Sequence, residues 1–413
     1  MHARKVRIKD FRNYIDEEVC FNKHRNLIVG QNAQGKTNLL EAIDFVSRGK
    51  SPRTANDFEL IRYGSPAFSI ELDFESVQGE ENLFVSVAKN LTKTLKSGAC
   101  ALEKRAKING ASYNSTRKLA GNFVTVSFKS EDLNLLRGGP KYRRDWLDNL
   151  TSPLKKAYSQ DLSKYNRTTS QKNRLLKDIF EKGFGAGTNE LADLEQLKTW
   201  NQQAALLGAR VVKQRLAVLN NLLPVAMEEH SKISGKKEIL KAEYYLKRPE
   251  EEADGEDGDL EEILKAGIEP DEKDIARRLY RLYQKRHKEE IVRKQSLAGP
   301  HRDDIRLTLN GEDATAYASQ GQQRSLVLAL KLAELSLVRD HIMEPPVLLL
   351  DDVLAELDLS RQSHLMQACD QDMQTLITTT HVDAFEKKWL LNARFIEIKE
   401  GRALEQEEEP INN

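Results

Sequence analysis

The sequence lacks the features that mark three large classes of protein. It has only three cysteines in 413 residues, none of them in a C-x-x-C pair, which argues against a structural zinc site or a disulfide framework. No stretch approaches the roughly 18 consecutive apolar residues that a membrane helix needs, and residues 1–14 are charged throughout, unlike a secretory signal. We therefore expect a cytoplasmic protein without a membrane partner.

A net charge is absent as well, because 64 lysines and arginines balance 64 aspartates and glutamates. Proteins that bind nucleic acid usually carry a marked positive charge, so any such contact here must come from a local patch. Each candidate below could neutralise a phosphate, but each could equally be a solvated charge on a helix face. The candidates are Arg53, Lys141, Arg143 and Arg144, with Lys155 and Lys156 beyond them.

Apolar patterns at the two ends of the chain enclose a long polar middle. Residues 1–140 contain a buried strand at 26–29 and strictly alternating residues at 68–74, which predict a half-exposed antiparallel sheet. Residues 141–295 have helical patterns rich in Lys, Gln and Leu, and the core pattern returns in 296–413. Because a single core stops growing before about 300 residues, we predict an α/β domain built from both chain ends, with a helical arm inserted between them.

One part of this arm is predicted not to fold. Residues 250–262 hold nine acidic residues and two glycines with almost nothing apolar. Such a composition cannot form a core, which predicts a solvated loop. A segment that binds a partner is the alternative.

The strongest motif follows the buried strand at 26–29. Eight residues fit G-x-x-x-x-G-K-[ST] and precede a helical pattern, which is the context of a nucleotide phosphate loop. Glycines let the backbone N–H groups point at phosphates, and the helix N-terminus adds positive potential. Lys36 is predicted to reach the outer phosphates, and the Thr37 hydroxyl to ligate Mg²⁺. The predicted ATP-binding residues of this loop are Gly30, Gln31, Asn32, Ala33, Gln34, Gly35, Lys36 and Thr37.

An acidic strand end matches this loop. The apolar run 347–350 is followed by Asp351 and Asp352. We predict that Asp351 holds the magnesium, directly or through water, and that Asp352 activates the attacking water. A solvated turn after a core strand is the alternative. Paired carboxylates at the tip of a buried strand are costly without a cation, which favours the metal site.

Residues 319–323, S-Q-G-Q-Q, form what we call the signature segment, placed just before a helical pattern and about 30 residues before the acidic strand. A hydroxyl, a glycine N–H and a helix N-terminus make an anion site, although an ordinary helix N-cap would have the same sequence. This spacing is typical of ABC-type ATPases, in which the segment completes the nucleotide pocket of a second subunit. The prediction is an ATP-driven homodimer with Ser319, Gly321 and Gln322 as ATP contacts.

Two further positions follow the acidic strand. Asp358 lies where such ATPases carry the loop that crosses the subunit interface, and is predicted to contact ATP there. His381 ends the next strand and resembles a switch histidine that senses the terminal phosphate, with Thr380 as the alternative. A structural histidine is the other interpretation. The residues predicted to act in catalysis are Lys36, Ser319, Asp351, Asp352 and His381.

Beyond these features the sequence resembles the RecF family. The resemblance covers little of residues 155–290 but touches both chain ends, and its motifs follow the order of the family. They are F-R-N-Y at 11–14, T-N-L-L-E-A-I at 37–43, S-P-R-T at 51–54, G-P-H-R-D-D at 299–304 and S-Q-G-Q-Q-R at 319–324. Ala33 departs from the family, where a glycine is usual, so it must adopt an ordinary φ or carry strain.

The resemblance implies an ABC-type, SMC-like ATPase head that uses ATP and Mg²⁺, with Arg12 as a further ATP contact. It also implies a slow, DNA-dependent ATPase on gapped or junction DNA, associated with the nucleoid. With RecO and RecR, such a protein helps to load RecA in repair, recombination, replication and the SOS response. Asp352 stands where fast ABC-type ATPases usually have glutamate, and the shorter base favours a slow switch.

Overall fold

The computed structural model describes residues 1–54, 56–94, 100–183, 190–246, 270–369, 372–380 and 393–405. Two compact units emerge, one of Met1–Asp132 with Glu334–Asn413 and one of Leu133–Ala333. This division differs from the predicted boundaries at 140 and 296. The physical reason is a strand pair: Asp304–Leu309, assigned to the head, pairs antiparallel with Leu240–Tyr245 of the predicted arm. The acidic segment 250–262 lies outside the described residues.

Strands in the described residues are numbered in chain order. They are β1 (His2–Phe11), β2 (Tyr14–Cys20), β3 (Arg25–Val29), β4 (Ala67–Ser76), β5 (Gly79–Thr94), β6 (Cys100–Ile108), β7 (Ala111–Tyr113), β8 (Thr125–Lys129), β9 (Leu240–Tyr245), β10 (Asp304–Leu309), β11 (Glu312–Asp313), β12 (Val347–Asp351), β13 (Thr375–Thr379), β14 (Arg394–Lys399) and β15 (Arg402–Glu405).

The α-helices in the described residues are given by their bounds. They are Lys36–Arg48, Asn134–Arg137, Pro140–Leu154, Tyr158–Glu181, Glu190–Ile233, Glu272–Arg293, Ala314–Tyr317, Gln320–Ile342 and Leu359–Ala368. None of those in the described part of the chain is both long enough and apolar enough to span a bilayer.

The first unit contains a mostly parallel sheet in the order β15-β14-β3-β13-β12-β8, in which only β15 runs antiparallel to its neighbour. Strand β12 is buried along its whole length, as the run at 347–350 predicts. Because the parallel strands end at one edge, Val29, Asp351 and Thr379 finish side by side. This carboxyl edge is where open α/β sheets bind their ligands.

A second sheet of the first unit is antiparallel, in the order β2-β1-β4-β5-β6-β7. Alternate residues of β4, from Phe68 to Phe74, are buried while those between them are partly exposed, so the predicted half-exposed sheet is confirmed. The buried face shares one core with the apolar side of helix Lys36–Arg48. Phe68, for example, makes edge-to-face contacts with Phe11 and Phe45 at 5.2 and 5.6 Å between ring centres.

The second unit is largely helical, as predicted for the arm. Helices Tyr158–Glu181, Glu190–Ile233 and Glu272–Arg293 share apolar contacts such as that between Leu176, Leu197 and Ile291. The unit also contains the three-stranded sheet β11-β10-β9.

Candidate nucleotide site

The phosphate loop joins β3 to helix Lys36–Arg48 at the carboxyl edge of the parallel sheet. Its two glycines are required by close approaches of the surrounding chain. A Cβ at Gly30 would lie 2.4 Å from the carbonyl oxygen of Ile398 on β14. Gly35 has φ 119°, which disfavours a side chain, and a Cβ there would lie 2.7 Å from Asn13 Nδ2. The loop conformation is therefore restricted, because the Ile398 backbone lies against Gly30 and the Asn13 side chain lies against Gly35.

Lys36 is the first residue of the helix, and its side chain folds back onto the loop. Its ammonium donates to the carbonyl oxygens of Gly30 at 2.8 Å and Gln31 at 3.1 Å. The side chain is only 4% exposed. A buried ammonium held by two carbonyls remains a donor that a phosphate can compete for.

Thr37 and Asp351 meet as the sequence predicts for a magnesium site. The Thr37 hydroxyl donates to Asp351 Oδ1 at 2.8 Å, and the Thr378 hydroxyl donates to the same oxygen at 2.9 Å. In the described residues no group of three or more His, Cys, Asp or Glu side chains could hold a metal by itself. A hydroxyl and one carboxylate suit Mg²⁺, which usually takes its remaining ligands from water and nucleotide phosphates.

Asp352 lies just beyond, in a left-handed conformation with φ 53°. Its backbone N–H donates to the Thr378 hydroxyl at 2.9 Å, which fixes the turn. Burial raises the pKa of Asp352 above its ordinary value; Asp351 and Glu356 raise it further, while Lys36 lowers it. A raised pKa makes the carboxylate a better proton acceptor, as a general base requires.

Ala33 has a strained backbone conformation, which is one of the two outcomes that the sequence predicts. It has φ 64°, in the left-handed region where a Cβ costs about 1–2 kcal/mol. The side chain is exposed, so the cost comes from the backbone and not from crowding.

Residues outside the eight-residue motif donate hydrogen bonds to the phosphate loop. Asn13 Nδ2 and the Gly401 N–H both donate to the Gln34 carbonyl, at 3.0 and 2.9 Å, and the Tyr14 hydroxyl donates to the Gly35 carbonyl at 3.0 Å. Asn13 and Tyr14 belong to the F-R-N-Y motif of the resemblance, which is the one sequence signal that points to them. Gly401, in the turn between β14 and β15, has no such signal.

Arg12 and Arg53, predicted to contact ATP and DNA respectively, share one buried carboxylate. Glu41 is 1% exposed and accepts from Arg12 at 2.9 and 3.0 Å, from Arg53 at 3.1 Å and from the Ser51 hydroxyl at 2.6 Å. Burial alone would raise the pKa of Glu41, but Arg12, Ser51 and Arg53 outweigh it and the pKa is lowered. Arg53 also donates to Asn38 in the first turn of the helix, at 3.1 Å. This cluster ties both arginines to the phosphate-loop helix.

The signature segment lies in the second unit and forms a reciprocal helix cap. The Ser319 hydroxyl accepts from the Gln322 N–H at 3.3 Å, and Gln322 Oε1 accepts from the Ser319 N–H at 2.8 Å. This is the capping-box arrangement at the start of helix Gln320–Ile342. Ser319 is exposed and Gly321 is half-buried. The N-cap interpretation therefore holds, and it leaves the hydroxyl at the surface.

Asp358 also serves as a helix cap, accepting from the Arg361 N–H at 2.9 Å at the start of helix Leu359–Ala368. Its carboxylate in addition contacts the Arg361 guanidinium. Thr380 is half-buried. His381 lies outside the described residues.

The basic cluster predicted for DNA divides into buried and exposed members. Arg143 is 6% exposed and makes two bonds of 2.7 Å to Asp304, with further bonds to the Leu135 and Gly138 carbonyls. Four of its five N–H donors have acceptors within the protein and the side chain is buried, which favours a structural role over the predicted DNA contact. The Arg144 guanidinium donates to the Asp303 carbonyl at 2.8 Å. Lys141, Lys155 and Lys156 are exposed.

Comparison with known proteins gives a consistent result. A family model described as RecF/RecN/SMC N terminal domain matches residues 2–402. A protein of Nostoc punctiforme named DNA replication and repair protein RecF is 37% identical over 405 residues, covering 98% of this chain and 99% of that protein. A Synechocystis protein of the same name is 38% identical over 405 residues, covering 97% of each. A solved structure described as the recombination mediator protein RecF with ATP, in the RecFOR pathway, has a TM-score of 0.81 and 30% identity, covering 98% of each chain.

Proposed function

This chain belongs to the RecF family of SMC-like ATPases, and from that premise we propose that it is an ATP-dependent DNA-binding protein of recombinational repair. The observation that carries the proposal is the meeting of Thr37 with Asp351, two residues that are 314 positions apart in sequence and 2.8 Å apart in space. A related structure is described as RecF with ATP, which supports ATP as the ligand.

In the proposed mechanism the chain's own groups bind and orient the nucleotide. Lys36 exchanges its two carbonyl partners for the outer phosphates, and the loop N–H groups and helix N-terminus hold the phosphate charge. Thr37 and Asp351 would hold Mg²⁺, which would neutralise charge on the phosphates. Asp352 takes a proton from the attacking water, and its raised pKa suits that role.

The signature segment is proposed to act on a second copy of the chain. Ser319 is exposed, and within the described residues its hydroxyl accepts one long bond, of 3.3 Å, from the Gln322 N–H, so it can accept another partner. Ser319, Gly321 and Gln322 would then face the terminal phosphate held by the partner's loop, with Asp358 at the same interface. ATP would thereby join two copies, and hydrolysis would separate them.

The DNA part of the proposal concerns gapped or junction DNA. A closed dimer would hold the duplex, using Lys141 and Arg144 with the exposed Lys155 and Lys156. RecO and RecR are the proposed partners, and RecA loading the proposed outcome, in repair, replication and the SOS response. A solved relative whose description names the RecFOR pathway supports this assignment. Hydrolysis is proposed to be slow and DNA-stimulated, at the nucleoid in the cytoplasm.

Sedimentation of wild type, Lys36→Met and Ser319→Arg, with and without ATP and a gapped duplex, tests the proposal. We expect ATP to convert only the wild type to a dimer, and that dimer to bind the gapped DNA. Ser319→Arg should still bind ATP as a monomer, which separates the signature role from nucleotide binding. A wild type that binds ATP yet stays monomeric and ignores DNA would refute both the switch and the DNA function.

A further inference from the structure

Tyr63 is the most exposed large apolar or aromatic side chain in the described part of the chain. Its relative exposure is 99%, so the whole ring faces solvent. A single exposed apolar residue needs no explanation by itself. Two further observations distinguish this position: the backbone that presents the ring is fixed, and cations lie on and beside the turn.

The turn at 62–65, which we call the Tyr63 turn, is held from several sides. The Ser65 N–H donates to the Arg62 carbonyl at 3.0 Å, and Gly64 has φ 83°, as the third position of a type II turn requires. Asp10 Oδ1 accepts from Arg62 Nε and from the Ser65 hydroxyl, both at 2.7 Å. The Arg62 N–H donates to the Asp10 carbonyl at 2.8 Å. The ring therefore projects from a backbone that needs no ordering when a partner binds.

Three cations lie on or near this turn. Arg62 precedes the tyrosine, and the Lys89 ammonium donates to the Ser65 carbonyl at 2.8 Å. Lys9, next to Asp10, is exposed. Asp10 is already paired with Arg62, and Lys9 lies opposite the exposed Asp16 in the β1–β2 pair. Within the described residues neither Lys9 nor Lys89 forms a salt bridge, so both ammonium groups can meet a phosphate near the turn.

An exposed aromatic side chain on a fixed turn, with cations on and beside that turn, is an arrangement that can bind single-stranded nucleic acid. Each base has an apolar face that stacks on an aromatic ring, while the cations neutralise adjacent phosphates. A duplex cannot use such a ring without unstacking, because its base faces are covered. An acidic protein surface would use the cations but has no general need of the ring.

We propose that the Tyr63 turn is a stacking contact for an unpaired base of DNA, with Lys9 and Lys89 holding the neighbouring phosphates. The inference rests on the proposed DNA function and adds to it a site that reads the single-stranded part of a gap or junction. None of these residues was among the predicted DNA contacts. The contact is independent of base sequence, since every base has a stacking face.

The test compares the affinities of Tyr63→Ala, Tyr63→Phe and wild type for a gapped duplex and for a blunt duplex, by fluorescence anisotropy with ATP present. Tyr63→Ala should weaken binding to the gapped DNA by about 5- to 100-fold, the effect of losing one stacked base. Tyr63→Phe keeps the ring and should stay within about twofold of wild type. Tyr113→Ala, which removes another exposed tyrosine of the same unit, is the matched control and should bind as wild type does. Thermal unfolding of each variant checks the fold, which an exposed side chain should not alter.

The outcomes separate the inference from the proposed function. A selective loss with Tyr63→Ala on gapped but not blunt DNA supports the stacking contact. Equal affinity of Tyr63→Ala and wild type for gapped DNA would overturn it, and would leave the turn as a candidate protein contact. An equal loss on both DNAs also contradicts it, because a duplex offers no free base face. A wild type that binds neither DNA would refute the proposed function itself.

Discussion

The phosphate loop and the signature segment are both predicted to bind phosphate, yet different contacts hold their conformations. The loop depends on residues far away in sequence, since Thr37 bonds to Asp351 across 314 residues and Gln34 is held by Asn13 and Gly401. The signature segment combines a local cap, in which Ser319 and Gln322 bond to each other, with side-chain contacts of Gln322 to Glu238 and of Gln323 to Arg137. The backbone of the loop is thus fixed by distant residues of the first unit, whereas the backbone of the signature segment is fixed by a cap within its own helix.

Asp351→Asn should give the largest effect, because it removes the carboxylate charge that accepts from Thr37 and Thr378 and that is proposed to bind Mg²⁺. We expect ATP hydrolysis to fall by about 100-fold or more, with nucleotide binding in the absence of Mg²⁺ retained. Phosphate release over a magnesium titration measures it. Asp340→Asn, at an exposed aspartate, is the control and should leave hydrolysis unchanged. Full activity in Asp351→Asn would remove Asp351 from the proposed metal site.

The pH dependence of hydrolysis tests Asp352. Because its pKa is raised above 3.8, the acid limb of the rate profile should lie above that of an ordinary aspartate, with activity lost as pH falls through it. Glu356→Gln removes one of the charges that raise this pKa, so the limb should move to lower pH. An acid limb of the wild type that lies at or below pH 3.8 would exclude Asp352, with its raised pKa, as the titrating base.

Gly35→Ala tests whether the close contact between Asn13 and Gly35 fixes the conformation of the phosphate loop. The new Cβ would meet Asn13 at 2.7 Å in a backbone with φ 119°, and we expect ATP affinity to fall by about 10-fold. Gly110→Ala, in the β6–β7 turn with φ 83° and nothing within 4 Å of its Cβ, is the control outside the loop and should bind ATP as wild type does. If Gly35→Ala also binds ATP as tightly as wild type in titration calorimetry, the contact with Asn13 does not shape the nucleotide site.

Ser319→Asn separates the two roles of the signature serine. Asparagine is as good an N-cap as serine, so the free energy of unfolding should be unchanged, whereas Ser319→Ala should lower it by about 1 kcal/mol. Both variants lack the hydroxyl and should fail to dimerise with ATP in sedimentation. If Ser319→Asn dimerises like wild type, the cap is the whole role of this residue.

Ala33→Gly should give the smallest effect. It relieves backbone strain of about 1–2 kcal/mol but adds freedom to the unfolded chain, so the free energy of unfolding should change by less than about 1 kcal/mol. ATP affinity should rise slightly or stay unchanged, as calorimetry can measure. A 10-fold loss of affinity would mean that the strained alanine contributes to binding.

Local sequence patterns predict much of the fold around these two sites. The buried strand 347–350 and the alternation at 68–74 are local patterns with a fixed physical meaning, and both are found as predicted. Arg143 and Arg53 could not be assigned in this way, because a cation in a helical or loop pattern looks the same whether it faces solvent or a buried carboxylate. Only their partners, Asp304 and Glu41, distinguish the two cases.

The sequence by itself determined the α/β class, the phosphate loop, the acidic strand end and the N-cap alternative at Ser319, because each depends on residue types at short spacing. Tertiary structure alone decided which carboxylate each arginine meets, that β10 pairs with β9, and that Ala33 takes a left-handed backbone. These outcomes depend on contacts between residues distant in the chain, whose spacing no local pattern encodes. The exposure of Tyr63 also depends on tertiary structure, since the direction in which a turn projects is set only when the neighbouring strands have packed.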